Sequence, residues 1–183
     1  MSLDSLKDRL PDYAKDIKLN LSNVVGSTEL NPKQLWGAML ASAIAARNAA
    51  VIEAVSHEAA RHLDAKAQDA AKAAAAVMAM NNIYYRSIHM MGDEEYRKMP
   101  ARLRMQVIGN PGVDKVDFEL WCLAVSAING CGACLESHTH EVTAKGASRE
   151  AVQDALRIAA VIHAVAVVLE AQQALPPAAA APA

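Results

Sequence analysis

Several residue types that mark other protein classes are scarce in this 183-residue chain. Aromatic residues make up only 4%, and three cysteines are too few for the disulfide scaffold of a small secreted protein. The formal net charge is -2, and no block of lysine or arginine is present to neutralise a phosphate backbone, so we expect no nucleic-acid partner. No segment alternates β-branched and polar residues as a strand would. These absences favour an all-α protein.

Long hydrophobic runs are also missing. The first ten residues mix charged and apolar side chains and lack the continuous apolar core of a secretory signal. The apolar stretch from Ile158 to Leu169 is interrupted by His163 and is too short to span a bilayer. We therefore expect a cytoplasmic protein with no membrane partner.

The composition that is present suits one helical domain over residues 1–175, since 53% of the chain is hydrophobic and 21% is charged. Asn, Ser, Pro and Gly stand where helices should begin and end. They predict helices over 11–24, 32–47, 49–62, 66–91, 114–128, 131–145 and 149–173. Residues 100–112, which contain Asn110-Pro-Gly, look like a connector. The Ala/Pro-rich segment 176–183 is predicted to be a disordered tail.

A weak internal repeat relates about 30–92 to about 114–175. Sliding the chain against itself by 85 residues pairs Leu35-Trp36 with Leu120-Trp121, and Gln68-Asp-Ala with Gln153-Asp-Ala. In that alignment two cysteines and a histidine of the second half fall opposite Ala46, Ala49 and Glu53. We therefore predict two similar helical halves, of which only the second carries reactive groups.

The reactive groups lie in the segment 129–138, Asn-Gly-Cys-Gly-Ala-Cys-Leu-Glu-Ser-His. On a helix, Cys131, Cys134 and His138 fall within an arc of about 60°, so a short disulfide is feasible and the Cys134 sulfur can meet the His138 ring. Free N–H groups at the helix start and a nearby imidazolium would both favour a thiolate. The helix terminus favours Cys131 as the attacking sulfur, whereas the histidine favours Cys134, and the residues alone leave this open.

A metal site is a second interpretation of the same residues. A Cys-x-x-Cys is also common in structural zinc sites, but His140 points about 200° away from His138 around the helix, which argues against a closed tetrahedral site. Cys122 has apolar neighbours and is interpreted as a buried core thiol. Glu119 precedes Leu120-Trp121 in an apolar segment that leads to the cysteines, which makes it a further candidate.

These features resemble the alkylhydroperoxidase D family, which shares its fold with carboxymuconolactone decarboxylases. The resemblance covers most of the chain. Its most specific part is the spacing Glu-x11-Cys-x2-Cys-x3-His. Further matching stretches are Leu10-Pro-Asp-Tyr-Ala-Lys-Asp-Ile-Lys-Leu-Asn-Leu, Gln34-Leu-Trp, Met80-Asn-Asn-Ile-Tyr-Tyr-Arg, Phe118-Glu-Leu-Trp and Ser126-Ala-Ile-Asn-Gly-Cys.

The resemblance implies an all-helical subunit that assembles as a homotrimer and acts as a lipoyl-dependent peroxidase on small organic hydroperoxides. It assigns Cys134 as the peroxidatic cysteine that becomes a sulfenic acid, and Cys131 as the proton donor that then resolves it to a Cys131–Cys134 disulfide. His138 and Glu119 correspond to a proton relay. No bound cofactor or metal is implied.

The resemblance also implies external electron partners. Dihydrolipoamide on a dihydrolipoamide acyltransferase would reduce the disulfide, and the protein would pass electrons to a peroxiredoxin of the alkyl hydroperoxide reductase C type. Some family members carry a histidine immediately before the second cysteine, where this chain has Ala133. This departure leaves open a disulfide-exchange adaptor without peroxidase activity. A zinc-binding structural or interaction domain and a decarboxylase-like enzyme of the same fold also stay open.

Overall fold

A computed structural model describes residues 2–175, and within that range it contains ten α-helices, one 3₁₀ turn and no strand. This confirms the all-α prediction, and the predicted tail, 176–183, lies outside the described residues. The helices are α1 Leu3–Asp8, α2 Lys15–Val25, α3 Pro32–Ala46, α4 Ala49–Ala59, α5 Ala65–Met91, α6 Glu94–Lys98, α7 Gln106–Gly109, α8 Lys115–Ile128, α9 Gly132–Ala144 and α10 Arg149–Ala174.

The capping residues act as the sequence predicts. The side-chain oxygens of Asn31, Asn48 and Ser148 each accept a hydrogen bond from the backbone N–H three residues later, at 2.9–3.0 Å. The 27-residue helix α5 ends at Gly92, whose φ of 69° lies in the left-handed region that ends many helices.

Four short elements differ from the predicted boundaries. Helix α1 is anchored by a capping box between Ser2 and Ser5 and by the burial of Leu3 and Leu6, which a short amphipathic segment signals only weakly. The helix predicted from residue 11 begins instead with a 3₁₀ turn, Asp12–Ala14. The region after α5, with its predicted connector, holds the short helices α6 and α7.

Helix α8 lies at the centre of the molecule. It packs against α3, α5, α9 and α10, and every residue from 117 to 126 is buried. Its Trp121 crosses α3 so closely that a Cβ on Gly37 would lie 2.0 Å from the indole ring. The indole N–H donates to the Gln34 carbonyl at 3.1 Å. These contacts fix the position of α8 against the first half of the chain.

The order of helices repeats along the chain. Helices α3, α4 and α5 are followed, about 85 residues later, by α8, α9 and α10, which have similar lengths. Buried side chains from both sets belong to one hydrophobic cluster. The two halves therefore share a core.

Helix α10 extends well beyond the apolar stretch between Ile158 and Leu169. By length and composition the whole helix could cross a membrane, although that stretch alone is too short. Half of its most apolar window is buried inside the protein, where it packs against α2, α3 and α8. A core helix has this composition because it lies in the interior.

Candidate active site

The two cysteines meet at the start of α9. Helix α8 ends at Ile128, and Gly130 turns the chain with a φ of 66°, a conformation that glycine adopts without strain. Cys131 is the N-cap of α9, and its sulfur accepts the backbone N–H of Cys134 at 3.3 Å. Cys131 and Cys134 are paired as a disulfide, with their Cα atoms 5.3 Å apart.

The two cysteines differ in their access to a nearby cavity. A cavity of about 450 Å³ lies beside the first turns of α9. Cys134 lines this cavity, whereas Cys131 does not and is fully buried. Its walls are formed by Met78, Asn81, Tyr85, Met105, Ile108, Lys115, Glu119, Ala133, Cys134, Ser137, His138 and Glu141. A small molecule in the cavity would therefore reach Cys134 first.

An acid–base pair lines the same cavity. His138 is buried one helical turn after Cys134, and its Nδ1–H donates to Glu119 Oε2 at 2.5 Å. The second carboxylate oxygen of Glu119 accepts from Lys115 Nζ at 2.6 Å. Helix α8 supplies both Lys115 and Glu119, and α9 supplies His138, so the packing of two helices assembles the pair.

Glu119 is held in its ionised form despite its burial. Burial by itself would raise the pKa of this carboxyl. The hydrogen bonds from His138 and Lys115 and the positive charges of these groups lower the pKa by more than burial raises it, so the pKa lies below its ordinary value. A carboxylate that is ionised and 2.5 Å from an imidazole can accept a proton from the ring and return it.

The sequence suggested that the His138 ring could bond the Cys134 sulfur, but the structure shows no such bond. The ring Nε2 lies 3.2 Å from the sulfur of Met78 on α5. Carboxylates and thioethers are hydrogen-bond acceptors, so each ring nitrogen of His138 faces an acceptor. In the disulfide state, His138 and Cys134 therefore line one cavity without a hydrogen bond between them.

A polar network holds the turn that precedes Cys131. Asn82 on α5 donates to Ser126 at 2.9 Å and accepts from the Asn129 side chain at 2.9 Å. The Arg86 guanidinium donates to the Asn129 backbone carbonyl. Because Asn82 and Ser126 are fully buried, this network ties the cysteine turn rigidly to α5.

The remaining sequence candidates lie outside this constellation. Cys122 is fully buried, and burial together with the nearby charge of Glu119 raises the pKa of its thiol well above the ordinary value. His140 is exposed. Among residues 2–175, no three His, Cys, Asp or Glu side chains are grouped as metal ligands.

The structure adds residues that the sequence interpretation missed. Lys115 stands four residues before Glu119, a spacing that could have indicated the ion pair. The polar pair Asn81-Asn82 is buried within a helix of mostly apolar inward positions, which is a weaker signal. Met78 carried no signal, since its role depends on how α5 packs against α9.

Comparisons with known proteins are consistent with this geometry. The model of the carboxymuconolactone decarboxylase family matches residues 94–176. The chain is 62% identical to the alkyl hydroperoxide reductase AhpD of Rhodospirillum centenum over 175 residues, covering 96% of this chain and 94% of that protein. It is 57% identical to the protein of the same name from Streptomyces coelicolor, covering 96% and 98%. The Frankia alni protein of that name is 55% identical, with 93% and 92% covered.

Proposed function

The chain belongs to the alkyl hydroperoxide reductase AhpD family, and we propose that it reduces organic hydroperoxides through a Cys131–Cys134 dithiol–disulfide cycle. The observation that carries this proposal is the cavity that brings Cys134 together with the His138–Glu119 pair. Thiolates attack peroxide oxygen, and the adjacent acid–base pair can move the protons that this reaction requires.

The oxidative half-reaction begins with both cysteines reduced. The Cys134 thiolate attacks the terminal oxygen of the hydroperoxide, the O–O bond breaks, and the leaving alkoxide takes a proton to become an alcohol. Cys134 is then a sulfenic acid. The Cys131 sulfur attacks it, water leaves, and the disulfide forms. The exposure of Cys134 to the cavity, and the burial of Cys131 behind it, support this division of roles.

The proton steps are assigned to groups that line the cavity or adjoin it. Cys131 donates the proton that the alkoxide takes, and the His138–Glu119 pair carries protons between the sulfurs and the cavity. Lys115 keeps Glu119 ionised between turnovers. General acid–base catalysis of this kind contributes about 10²- to 10⁴-fold to a rate.

The reductive half-reaction needs an external dithiol. Dihydrolipoamide, carried by a lipoylated dihydrolipoamide acyltransferase, attacks Cys134 through the cavity and leaves as lipoamide, which restores both thiols. No bound cofactor is needed. The reduced protein in turn regenerates a peroxiredoxin of the alkyl hydroperoxide reductase C type. We place this cycle in a homotrimer in the cytoplasm, where a dithiol pool keeps it reduced.

The test is to trap the sulfenic acid in a Cys131→Ser variant. The reduced variant is treated with an organic hydroperoxide and then with a sulfenic-acid reagent, and the labelled peptide is sequenced by mass spectrometry. We expect the label on Cys134 of the variant. Wild type, which can form the disulfide, should instead lose the mass of two hydrogens within residues 116–145. Absence of label on Cys134 in the variant would contradict the assignment of the attacking sulfur.

One observation favours a second candidate, a disulfide-exchange adaptor without peroxidase activity. Ala133 stands where some family members carry a histidine, so the relay here lacks one possible member. Stopped-flow oxidation by an organic hydroperoxide, without any peroxiredoxin, separates the two functions. Thiol loss at a rate that supports turnover identifies the peroxidase, and slow loss with rapid exchange against dihydrolipoamide identifies the adaptor.

Zinc binding and decarboxylase-like chemistry have simpler tests. A zinc domain would show stoichiometric metal and protected thiols in freshly purified protein. A decarboxylase-like enzyme would keep its activity in Cys134→Ala, because its chemistry does not need the sulfur.

A further inference from the structure

One polar atom beside the cavity has no partner. Asn81 lines the cavity and is 3% exposed, and its Oδ1 is buried without a hydrogen bond. The other buried side-chain atom without a partner among the described residues is the hydroxyl of Ser42, on α3 and outside the cavity lining. A buried acceptor without a donor costs stability, so its retention needs an explanation.

The orientation of the Asn81 amide follows from its neighbour. Its Nδ2 lies 3.7 Å from the sulfur of Met105, a weak acceptor that has no hydrogen to offer. The amide nitrogen therefore belongs on that side, which leaves the oxygen free. This contact is weak, so the amide can turn towards a ligand at little cost.

Three donor side chains on the cavity wall are directed away from Asn81 Oδ1. Lys115 bonds Glu119 and the Ile108 carbonyl, His138 bonds Glu119 and faces Met78, and the Tyr85 hydroxyl points to Met105. No side chain among the described residues donates to Asn81 Oδ1, so an occupant of the cavity can supply the donor. In the proposed reaction that occupant is a hydroperoxide, whose terminal oxygen carries the one hydrogen-bond donor of the peroxide group.

We propose that Asn81 is a substrate-binding residue, whose Oδ1 accepts the hydrogen bond of the hydroperoxide O–H. This inference rests on the proposed function and deepens it. The bond holds the terminal oxygen, the atom that Cys134 attacks, inside the cavity. The organic group of the substrate then lies against the side chains of Met105 and Ile108, so the site accepts hydroperoxides with an apolar substituent.

The test compares three rates in wild type and in Asn81→Leu, a variant that keeps the side-chain volume and removes the Oδ1 acceptor. The first two rates are measured on reduced protein and the third on oxidised protein. The first rate is the oxidation of Cys134 by tert-butyl hydroperoxide. The second is its modification by methyl methanethiosulfonate, which reacts with the thiolate but has no hydrogen-bond donor. The third is the reduction of the disulfide by dihydrolipoamide. Ser42→Ala is the matched control, because it removes the other unpartnered buried atom.

We expect Asn81→Leu to slow the hydroperoxide reaction by about 10-fold, the effect of one lost hydrogen bond, and to change the other two rates by less than about twofold. Its melting temperature should not fall, because an unsatisfied group is removed. Ser42→Ala should leave all three rates unchanged. If the leucine variant does not fold, Asn81→Ala is measured in the same way.

Each contrary result has a separate meaning. An unchanged hydroperoxide rate in the variant, with active wild type, overturns the role of Asn81 alone. An equal loss in the methanethiosulfonate reaction overturns it too, because Asn81 would then act on the thiolate. A loss confined to dihydrolipoamide identifies the reductant as the ligand and overturns it as well. Wild type that is inert towards the hydroperoxide overturns the proposed function and this inference together.

Discussion

Glu119→Gln removes a charge from the centre of the site while keeping the shape of the side chain. The carboxylate accepts from His138 at 2.5 Å and from Lys115 at 2.6 Å. A glutamine has only one accepting oxygen, which Lys115 will attract because an ammonium cannot face the amide NH₂. The NH₂ group then faces His138 Nδ1, which must accept a hydrogen bond where it donated one before. The hydrogen bonds survive in another form, but the carboxylate that the proposed proton relay needs is lost.

The two consequences differ in size. Removing one partner of a buried ion pair costs about 3–5 kcal/mol when the other charge is left unpaired. Here both remaining groups keep a hydrogen bond, so the free energy of unfolding should fall by only about 1–2 kcal/mol. The rate of Cys134 oxidation should fall by about 10²- to 10⁴-fold, because general acid–base catalysis is abolished.

The assay is stopped-flow oxidation of the reduced protein by an organic hydroperoxide, together with urea unfolding. Glu136→Gln, which neutralises an exposed carboxylate on the same helix as His138, is the control and should match wild type. A rate for Glu119→Gln within about threefold of wild type would refute the relay. A large loss of stability with that rate intact would make the pair purely structural.

The same pair makes a prediction about pH. The pKa of Glu119 is lowered in the folded protein, so its charge stabilises the fold at pH values above the ordinary glutamate value of 4.5. This stabilisation is lost as the pH falls through the lower, folded pKa. The difference in melting temperature between wild type and Glu119→Gln should therefore stay constant near neutral pH and shrink in acid.

Three further variants or reagents test other parts of the structure. Lys115→Met should raise the pKa of Glu119 and slow the oxidation of Cys134 by about 3- to 10-fold. This effect is smaller than that of Glu119→Gln because the lysine is partly exposed. The variant should also speed proteolysis near Ile108, because Lys115 binds the Ile108 carbonyl. Gly37→Ala should lower the free energy of unfolding by about 1–3 kcal/mol or more through its clash with Trp121, whereas Gly109→Ala, with open space around it, should not destabilise. In reduced, folded protein an alkylating reagent should label Cys134 and leave Cys122 unlabelled until denaturant is added, as peptide mass spectrometry would report; equal labelling would contradict the burial of Cys122.

The sequence predicted the parts of this molecule that depend on local signals. Asn31, Asn48 and Ser148 were readable as caps because an N-cap bonds a backbone group only three residues away. The spacing of Cys134 and His138 was readable because one helix carries both. Local spacing also suggested a direct bond between them, which is absent because the ring bonds groups on two other helices.

Long-range packing decides what the sequence could not indicate. The contacts of Met78 with His138, and of Asn82 with Ser126, join residues 60 and 44 positions apart. Helical patterning shows that such positions are buried but not which neighbour they meet. The position of Glu119 in the sequence made it a candidate, and the resemblance to a family gave it a role in a proton relay. That Lys115 and Asn81 line the same cavity follows only from the placement of α8 and α5 beside it.

The first half of the chain supports the helix that carries Glu119. At the position that corresponds to Glu119, the first half carries Gln34, whose backbone carbonyl accepts the Trp121 indole N–H. Trp121 lies two residues after Glu119, and the missing side chain of Gly37 lets its ring approach α3. The first half thus fixes the position of the helix that carries the Glu119 carboxylate. A hydrogen bond of 2.5 Å between two helices requires such rigid support, because a small displacement of either helix would separate carboxylate and imidazole.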